Sequence, residues 1–165
     1  MWRMQPEIRD TPPSATTAQV LRRFRVVFNA VRSHFQQVEN QVGLGSAQVW
    51  ALALVRAQPA IGMGELAKSM DIHQSTASNL AKILLRKAFI RMDKAPGDRR
   101  NVQLTITPAG LDVLEQVPGP FEGVLPQALG KLPATSLQRL DDDLAELIAL
   151  LKADEDAGGI PLAEM

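Results

Sequence analysis

The stretch DRRNVQLTITPAG, residues 98–110, does most to decide the fold of this chain. Within it Val102, Leu104 and Ile106 alternate with polar residues, which is the period of a half-buried β-strand. Thr107 stands before a proline and is typical of a helix start, because threonine can cap a helix and proline suits its first position. The stretch therefore predicts a strand that runs directly into a helix.

A partner strand is predicted just upstream, at Phe89–Met92. Turn residues and charges fill residues 93–101, so the two strands are expected to form a β-hairpin with a long, partly basic tip. Arg99 and Arg100 in this tip can enter the narrow, electronegative minor groove of DNA. A surface loop with incidental charges is the alternative. If the arginines do enter the minor groove, Asp98 can pair with one of them and fix its direction.

Two short helices joined by a turn are predicted before the hairpin, at residues 65–70 and from Ser75 to about Ala88. The second helix has apolar side chains on one face and hydroxyl, amide and basic side chains on the other. Short polar groups suit base edges in the major groove, and cations suit phosphates. A solvated amphipathic helix would show the same pattern, so the helix alone does not decide between the two interpretations. The basic hairpin beside it favours DNA binding. The residues predicted to contact DNA are Gln74, Ser75, Thr76, Ser78, Asn79, Lys82, Arg86, Asp98, Arg99 and Arg100.

Longer helices are predicted on both sides of this middle block. Apolar residues recur every three or four positions from Val20 to Val42, and a leucine-rich face marks a last helix at about Ala134–Lys152. Three prolines, at positions 118, 120 and 126, predict a kink or break between the block and the last helix. The fold class is therefore mainly α with a small β-hairpin wing, built around a winged helix-turn-helix.

Residues 61–110 resemble the winged helix-turn-helix of the MarR family of bacterial transcription regulators. The most specific part of the resemblance is 98–110, which is similar to the family's D-x-R wing and its L-T-x-x-G junction. Glycine is usual in the family where Ala88 stands, and a basic residue is common where Asn79 stands. The other matching segments are Glu65–Ala67, Ser75–Leu80 and Lys87–Arg91.

The resemblance implies a homodimer in which each subunit places one helix in the major groove and a wing arginine, Arg100, in the minor groove. It also implies how the chain is divided. The predicted parts are a flexible arm at 1–15, a helical dimerisation region at 16–45 and 108–152, a DNA-binding lobe at 46–107 and a loose acidic tail at 153–165.

The charges cancel over the whole chain, with 18 basic and 18 acidic residues, but they are unevenly placed. Residues 1–60 and 61–110 each carry a net charge of +4, whereas residues 111–165 carry −8. We expect the basic lobe to face the phosphates of double-stranded DNA and the acidic segment to point away from them.

Several classes of protein are disfavoured by composition. The chain has no cysteine, which excludes disulfides, thiolate metal sites and thiol switches. It shows no paired histidines, glycine-rich phosphate loop or spaced carboxylate dyad, so neither an enzyme nor a metal or other cofactor is expected. No apolar run is long enough for a membrane span, and the first residues form no apolar signal core. We therefore expect a cytoplasmic protein without a membrane partner.

A small effector is a further expectation from the resemblance, because many family members bind an aromatic or anionic molecule between the dimer helices and the DNA-binding lobe. Packing in the protein core is the alternative role for each aromatic candidate. The candidates for such a site are Arg25, Arg32, His34, Phe35, Trp50 and Phe121.

Two functions are then weighed against each other. The first is a homodimeric regulator, favoured as a repressor, that binds a pseudo-palindromic operator and is released by a small ligand. The second is a winged-helix protein-interaction module without ligand control, whose acidic C-terminal face meets a basic protein. DNA binding that falls with salt would favour the first.

Overall fold

A computed structural model describes residues 14–117 and 119–165, and these form seven α-helices and one antiparallel hairpin. The fold class is as predicted, mainly α with a β-hairpin wing. The arm predicted for 1–15 lies almost wholly outside the described residues. In chain order the elements are α1 (Thr17–Val42), α2 (Ser46–Ala57), α3 (Met63–Met70), α4 (Gln74–Arg86), β1 (Ile90–Ala95), β2 (Asp98–Ile106), α5 (Pro108–Glu115), α6 (Val124–Gly130) and α7 (Ala134–Leu151).

The core lies in the middle of the chain, where α2, α3 and α4 pack on one another and on β2 and α5. Its largest members are leucines from different elements, among them Leu52, Leu66, Leu84 and Leu104, each with 0% of its surface exposed. Burying one such side chain stabilises a fold by about 1.5–3 kcal/mol. The lobe predicted to bind DNA, residues 46–107, thus has its helices and its wing packed on a shared apolar centre.

Helix α1 begins and ends where local chemistry dictates. Thr16 caps it, accepting a hydrogen bond from the Gln19 backbone N–H at 3.2 Å while the Gln19 side chain accepts from the Thr16 N–H at 2.8 Å. Gly43 closes it in the left-handed region, with φ of 68°. Between these ends, only Val31 and Val38 are buried in this single chain.

The break predicted from the prolines is present. Helix α5 ends at Glu115 and α6 does not begin until Val124, so a single long helix is replaced by separate segments. Helix α7 then runs for 18 residues, and none of them is buried. No helix within 14–117 or 119–165 is long and apolar enough to cross a membrane.

The wing is more regular than predicted. The long loop expected at 93–101 is wrong, because β1 extends to Ala95 and β2 begins at Asp98. The turn is confined to Pro96 and Gly97, where glycine allows a φ of 80°. The pairing is irregular near this turn: Lys94 pairs with Val102 and Ala95 with Asp98, so the register shifts and residues 99–101 have no paired residue on β1.

The tail predicted to be loose is instead folded against the DNA-binding lobe. Residues Glu155–Gly159 and Leu162–Glu164 form two short 3₁₀-helices. The backbone N–H of His73 donates to the carbonyl oxygen of Gly159 at 3.0 Å, and Ala163 packs against the core. The His73 ring also bonds to the backbone carbonyl oxygen of Asp156 at 2.9 Å. None of these contacts leaves a periodic signal in the sequence.

Candidate nucleic-acid interface

Helix α4 presents the polar face that the sequence predicts. Its apolar side, which includes Ala77, Leu80 and Leu84, is sealed in the core. The opposite side is therefore fixed outward. On it, Gln74, Ser75, Asn79, Lys82 and Arg86 are exposed, and Thr76 and Ser78 are half-buried.

The turn before α4 is tightly formed. Asp71 ends α3 in the left-handed region, with φ of 53°, and its backbone N–H donates to the carbonyl oxygen of Lys68 at 3.2 Å. The next N–H, that of Ile72, donates to Ala67 at 3.1 Å. His73 then takes the N-cap position of α4 in an extended conformation. Helices α3 and α4 are thereby held as a helix-turn-helix, with the start of α4 at a defined place.

The wing arginines are exposed, but Asp98 acts on them differently from the prediction. Its carboxylate accepts the backbone N–H of Arg100 at 2.9 Å and the side-chain amide of Asn101 at 2.6 Å. Within the described part of the chain, neither Arg99 nor Arg100 makes a salt bridge. Asp98 thus fixes the backbone of the wing and leaves both guanidinium groups to solvent.

The start of α4 and the wing meet across one groove. Gln74 from the helix and Arg100 from the wing both line it, together with residues 62–65 and 101–103. Two of the predicted DNA contacts, 26 positions apart in the sequence, therefore lie on a common surface. Such a surface can meet a duplex at its base edges and its phosphates together.

A polar junction connects the end of α4 to the start of α5. The Thr107 hydroxyl donates to the carbonyl oxygen of Ala88 at 2.7 Å and accepts the backbone N–H of Gly110 at 3.1 Å. Ala88 has a φ of 60°, a conformation that costs a non-glycine residue about 1–2 kcal/mol. A Cβ on Gly110 would overlap the carbonyl group of Phe89. The wing is therefore anchored to the recognition helix α4 at both of its strand ends.

A second concave site of about 330 Å³ lies beside this lobe, between α1, α2 and the segment before α6. Phe35 and Trp50, two of the predicted ligand residues, line it. Ser46 also lines it: its side chain is 7% exposed, and its Oγ has no hydrogen-bond partner in the described structure. The folded tail contributes Ile160–Ala163 to the same wall.

The other four predicted ligand residues lie outside this cavity lining. Arg25 and Arg32 are exposed on α1. His34 is half-buried, and desolvation lowers its pKa. Phe121 packs under Arg56, with the guanidinium carbon 5.0 Å from its ring centroid.

Sequence reasoning missed the rest of the cavity. A single serine such as Ser46 carries no sequence signal of a binding role, and the tail residues have no periodicity. Glu164, at the end of the tail, is desolvated enough that burial raises its pKa. Elsewhere in residues 14–117 and 119–165, no group of three or more His, Cys, Asp or Glu side chains is arranged to hold a metal ion.

Known proteins share this arrangement. The MarR family model matches residues 44–102, from just before α2 into β2. The HTH-type transcriptional repressor NicR of Pseudomonas putida is 26% identical over 149 residues, which cover 90% of this chain and 92% of NicR.

Solved structures agree on the fold. The S. aureus MepR–DNA complex aligns with a TM-score of 0.57 at 19% identity, covering 83% of this chain and 99% of that one. A structure concerning regulation of DNA binding by 6-hydroxynicotinic acid in BpsR of Bordetella bronchiseptica aligns with a TM-score of 0.54 at 24% identity, covering 82% and 96%. With the exposed helix and wing, the match of the family model to residues 44–102 shows that this chain carries a winged helix-turn-helix similar to that of the MarR family.

Proposed function

We propose that the protein is a repressor that binds a pseudo-palindromic operator as a homodimer and leaves it when a small aromatic molecule fills the cavity beside Ser46. The observation that carries the DNA-binding part is the groove shared by Gln74 and Arg100. The match of the MarR family model to residues 44–102 supports a DNA-binding regulator rather than an enzyme. The proposal adds its contacts, its assembly and its release.

The DNA contacts follow from the exposed groups. Ser75, Asn79 and Gln74 offer donors and acceptors at the start of α4, where a helix enters the major groove. Lys82 and Arg86 stand one and two turns farther along, at the distance where phosphates would be met. The wing carries two exposed arginines, Arg99 and Arg100, which suit the minor groove next to the major groove that α4 would enter.

The homodimer is supported by the apolar faces that this single chain leaves uncovered. Phe28 on α1 is 60% exposed and Leu150 on α7 is 75% exposed, and other large apolar residues on both helices share their exposure. Contiguous apolar surface of this kind marks an interaction face. A two-fold dimer would pair the same face from each subunit and present two α4 helices to two operator half-sites.

The effector class is inferred from the cavity wall. Phe35 and Trp50 offer aromatic faces, and Ser46 Oγ is a buried polar group without a partner, which a ligand can satisfy. Asp71 and Glu122 are the charged members of the described lining, so an uncharged aromatic molecule fits better than a carboxylate. A volume of about 330 Å³ suits one small ring compound.

Equilibrium binding to the DNA upstream of its own gene tests the main proposal. We expect wild type to prefer this duplex to a scrambled one at moderate salt. Arg100→Ala should weaken specific binding by about 1–3 kcal/mol, because it removes a base-groove contact. Arg139→Ala on α7 removes the same charge from a helix outside the groove and should leave affinity nearly unchanged. Equal binding to both duplexes would favour the protein-interaction module instead.

A matched pair of probes tests the effector class. 6-Hydroxynicotinamide and 6-hydroxynicotinic acid share one ring and differ in charge, and thermal shift reports which of them binds the folded state. We expect the amide to raise the melting temperature and release DNA more effectively than the acid. Ser46→Ala should reduce amide affinity by about 1 kcal/mol while leaving the ligand-free melting temperature unchanged or higher. A stronger effect of the acid would contradict the uncharged assignment.

A further inference from the structure

The segment Asp154–Glu164, here called the strap, is held at the start of the recognition helix. His73, the N-cap of α4, bonds to it twice. Its backbone N–H donates to the carbonyl oxygen of Gly159 at 3.0 Å, and its ring Nε2 donates to the backbone carbonyl oxygen of Asp156 at 2.9 Å. The strap therefore touches the DNA-binding lobe at the end of α4 that would enter the major groove.

The docked strap also carries negative charge to this place. The Asp156 carboxylate lies 3.6 Å from His73 Nε2, and its side chain is 79% exposed, so it faces solvent beside α4. Asp154 and Glu155 precede it in the same exposed turn. The acidic segment expected to point away from DNA is thus partly at the DNA-facing end. Carboxylates near this end oppose the approach of phosphates.

The other half of the strap closes one side of the cavity. Residues 160–163 line it, opposite Phe35 and Trp50, and the cavity also reaches Asp71 and Ile72 in the turn before α4. A molecule in the cavity would touch both the strap and the turn that positions α4. Occupancy of the cavity and docking of the strap are therefore coupled through shared contacts.

We propose that the strap is an autoinhibitory element: when docked at His73 it lowers DNA affinity, and a ligand in the cavity favours the docked state. This inference rests on the proposed function, since it explains how filling a cavity beside α1 would release DNA. It adds the contact between His73 and Asp156, and it states that docking of the strap lowers the affinity for DNA. Undocking the strap should tighten DNA binding.

Two adjacent glycines provide the matched test. A Cβ on Gly159 would overlap the imidazole ring of His73, whereas a Cβ on Gly158 would meet nothing within 4 Å. Gly159→Ala should therefore displace the strap, and Gly158→Ala makes the same chemical change without the clash. Hydrogen exchange at the His73 amide, which donates to Gly159, reports undocking in the full-length protein.

Affinity for the upstream duplex gives the decisive readout, measured for wild type and both glycine variants. We expect faster exchange at His73 and DNA binding tighter by about threefold or more in Gly159→Ala, with Gly158→Ala like wild type. Asp156→Asn removes the carboxylate but keeps the two backbone carbonyl oxygens, of Gly159 and Asp156, that accept hydrogen bonds from His73. It should tighten DNA binding without faster exchange, whereas Asp141→Asn on α7 should change neither quantity.

Unchanged or weaker DNA binding in Asp156→Asn overturns the inference, whether or not Gly159→Ala displaces the strap. Weaker binding in an undocked Gly159→Ala also overturns it, because the strap would then support α4. The proposed function is tested separately: it still holds if wild type prefers the upstream duplex and Arg100→Ala binds this duplex more weakly. Wild type without that preference overturns both.

Discussion

The DNA-binding lobe and the two long helices, α1 and α7, differ in where their apolar side chains lie. In the lobe the large apolar residues are enclosed, as Leu66 and Leu84 show with no exposed surface. On the long helices many lie open, as Phe28 and Leu150 show. Apolar residues recur with the helical period in both regions. Within this single chain they are buried in the lobe, whereas many of them remain exposed on α1 and α7.

This difference teaches which parts of the molecule are self-sufficient. The lobe obtains its stability from contacts among α2, α3, α4 and β2, so its shape does not require a second copy. Helices α1 and α7 bury little within the chain, and in the proposed homodimer a second copy would cover their apolar faces. Four substitutions test this comparison, from the largest expected effect to the smallest.

Truncating the lobe core should have the largest effect. Leu66→Ala removes a fully buried side chain and should lower the free energy of unfolding by about 2–5 kcal/mol. Met92→Ala, at an exposed site on the wing, should change it by less than about 0.5 kcal/mol. Urea titration measures both. Similar losses at the two sites would show that the lobe is not enclosed on its own.

A charge on the open face of α1 should separate the subunits without unfolding the lobe. Phe28→Asp should weaken dimerisation by about 2 kcal/mol or more, because exposed aromatic residues at such faces are typical anchors. Light scattering over a dilution series would then give half the wild-type mass at concentrations where wild type is dimeric. Asn29→Asp adds the same charge at the next position and should leave the dimer intact. Equal masses for wild type and Phe28→Asp would remove α1 from the interface.

Within the lobe, the polar junction should matter less than the apolar core. Thr107→Val keeps the side-chain shape but removes the bonds to Ala88 and Gly110, so stability should fall by about 1–2 kcal/mol. Thr105→Val, two positions earlier on β2 and without these bonds, is the matched control. Thermal unfolding distinguishes them. If Thr105→Val lowers the stability as much as Thr107→Val does, the hydrogen bonds of the junction do not contribute to stability.

The smallest effect is a gain at the end of α4. Ala88 occupies a left-handed conformation, so Ala88→Gly should raise the free energy of unfolding by about 0.5–1 kcal/mol. Ala109→Gly, in the regular helix α5, should lower it by a similar amount. Opposite signs for the same chemical change would confirm that backbone strain is released at Ala88. A loss at both positions would contradict it.

The comparison also shows what sequence could and could not predict. The polar face of α4 and the paired strands were predictable because buried residues such as Leu80 and Leu104 recur with the period of their element. The apolar stripe of α1 was predictable for the same reason, although the period does not say whether one chain or two cover it. Periodicity identifies a face and not its partner.

Other features were missed because no periodic signal marks them. Asp98 acts through the backbone N–H of Arg100, and a backbone partner is invisible in a sequence. The strap is held by the contact of His73 with Gly159, 86 positions apart, and by small apolar residues near its end. Of the effector candidates on α1, Phe35 lies on the cavity lining, whereas Arg25 and Arg32 do not, because the helical period alone does not locate a cavity.

The position of the strap in the chain has a consequence during synthesis. Chains are made from the N-terminus, and domains fold as they emerge. All residues of α4 and the wing are synthesised before Asp154 is added, so His73 has no strap to bond with while these elements are being made. During that interval the cavity lacks residues 160–163 of its wall, and the start of α4 is uncovered.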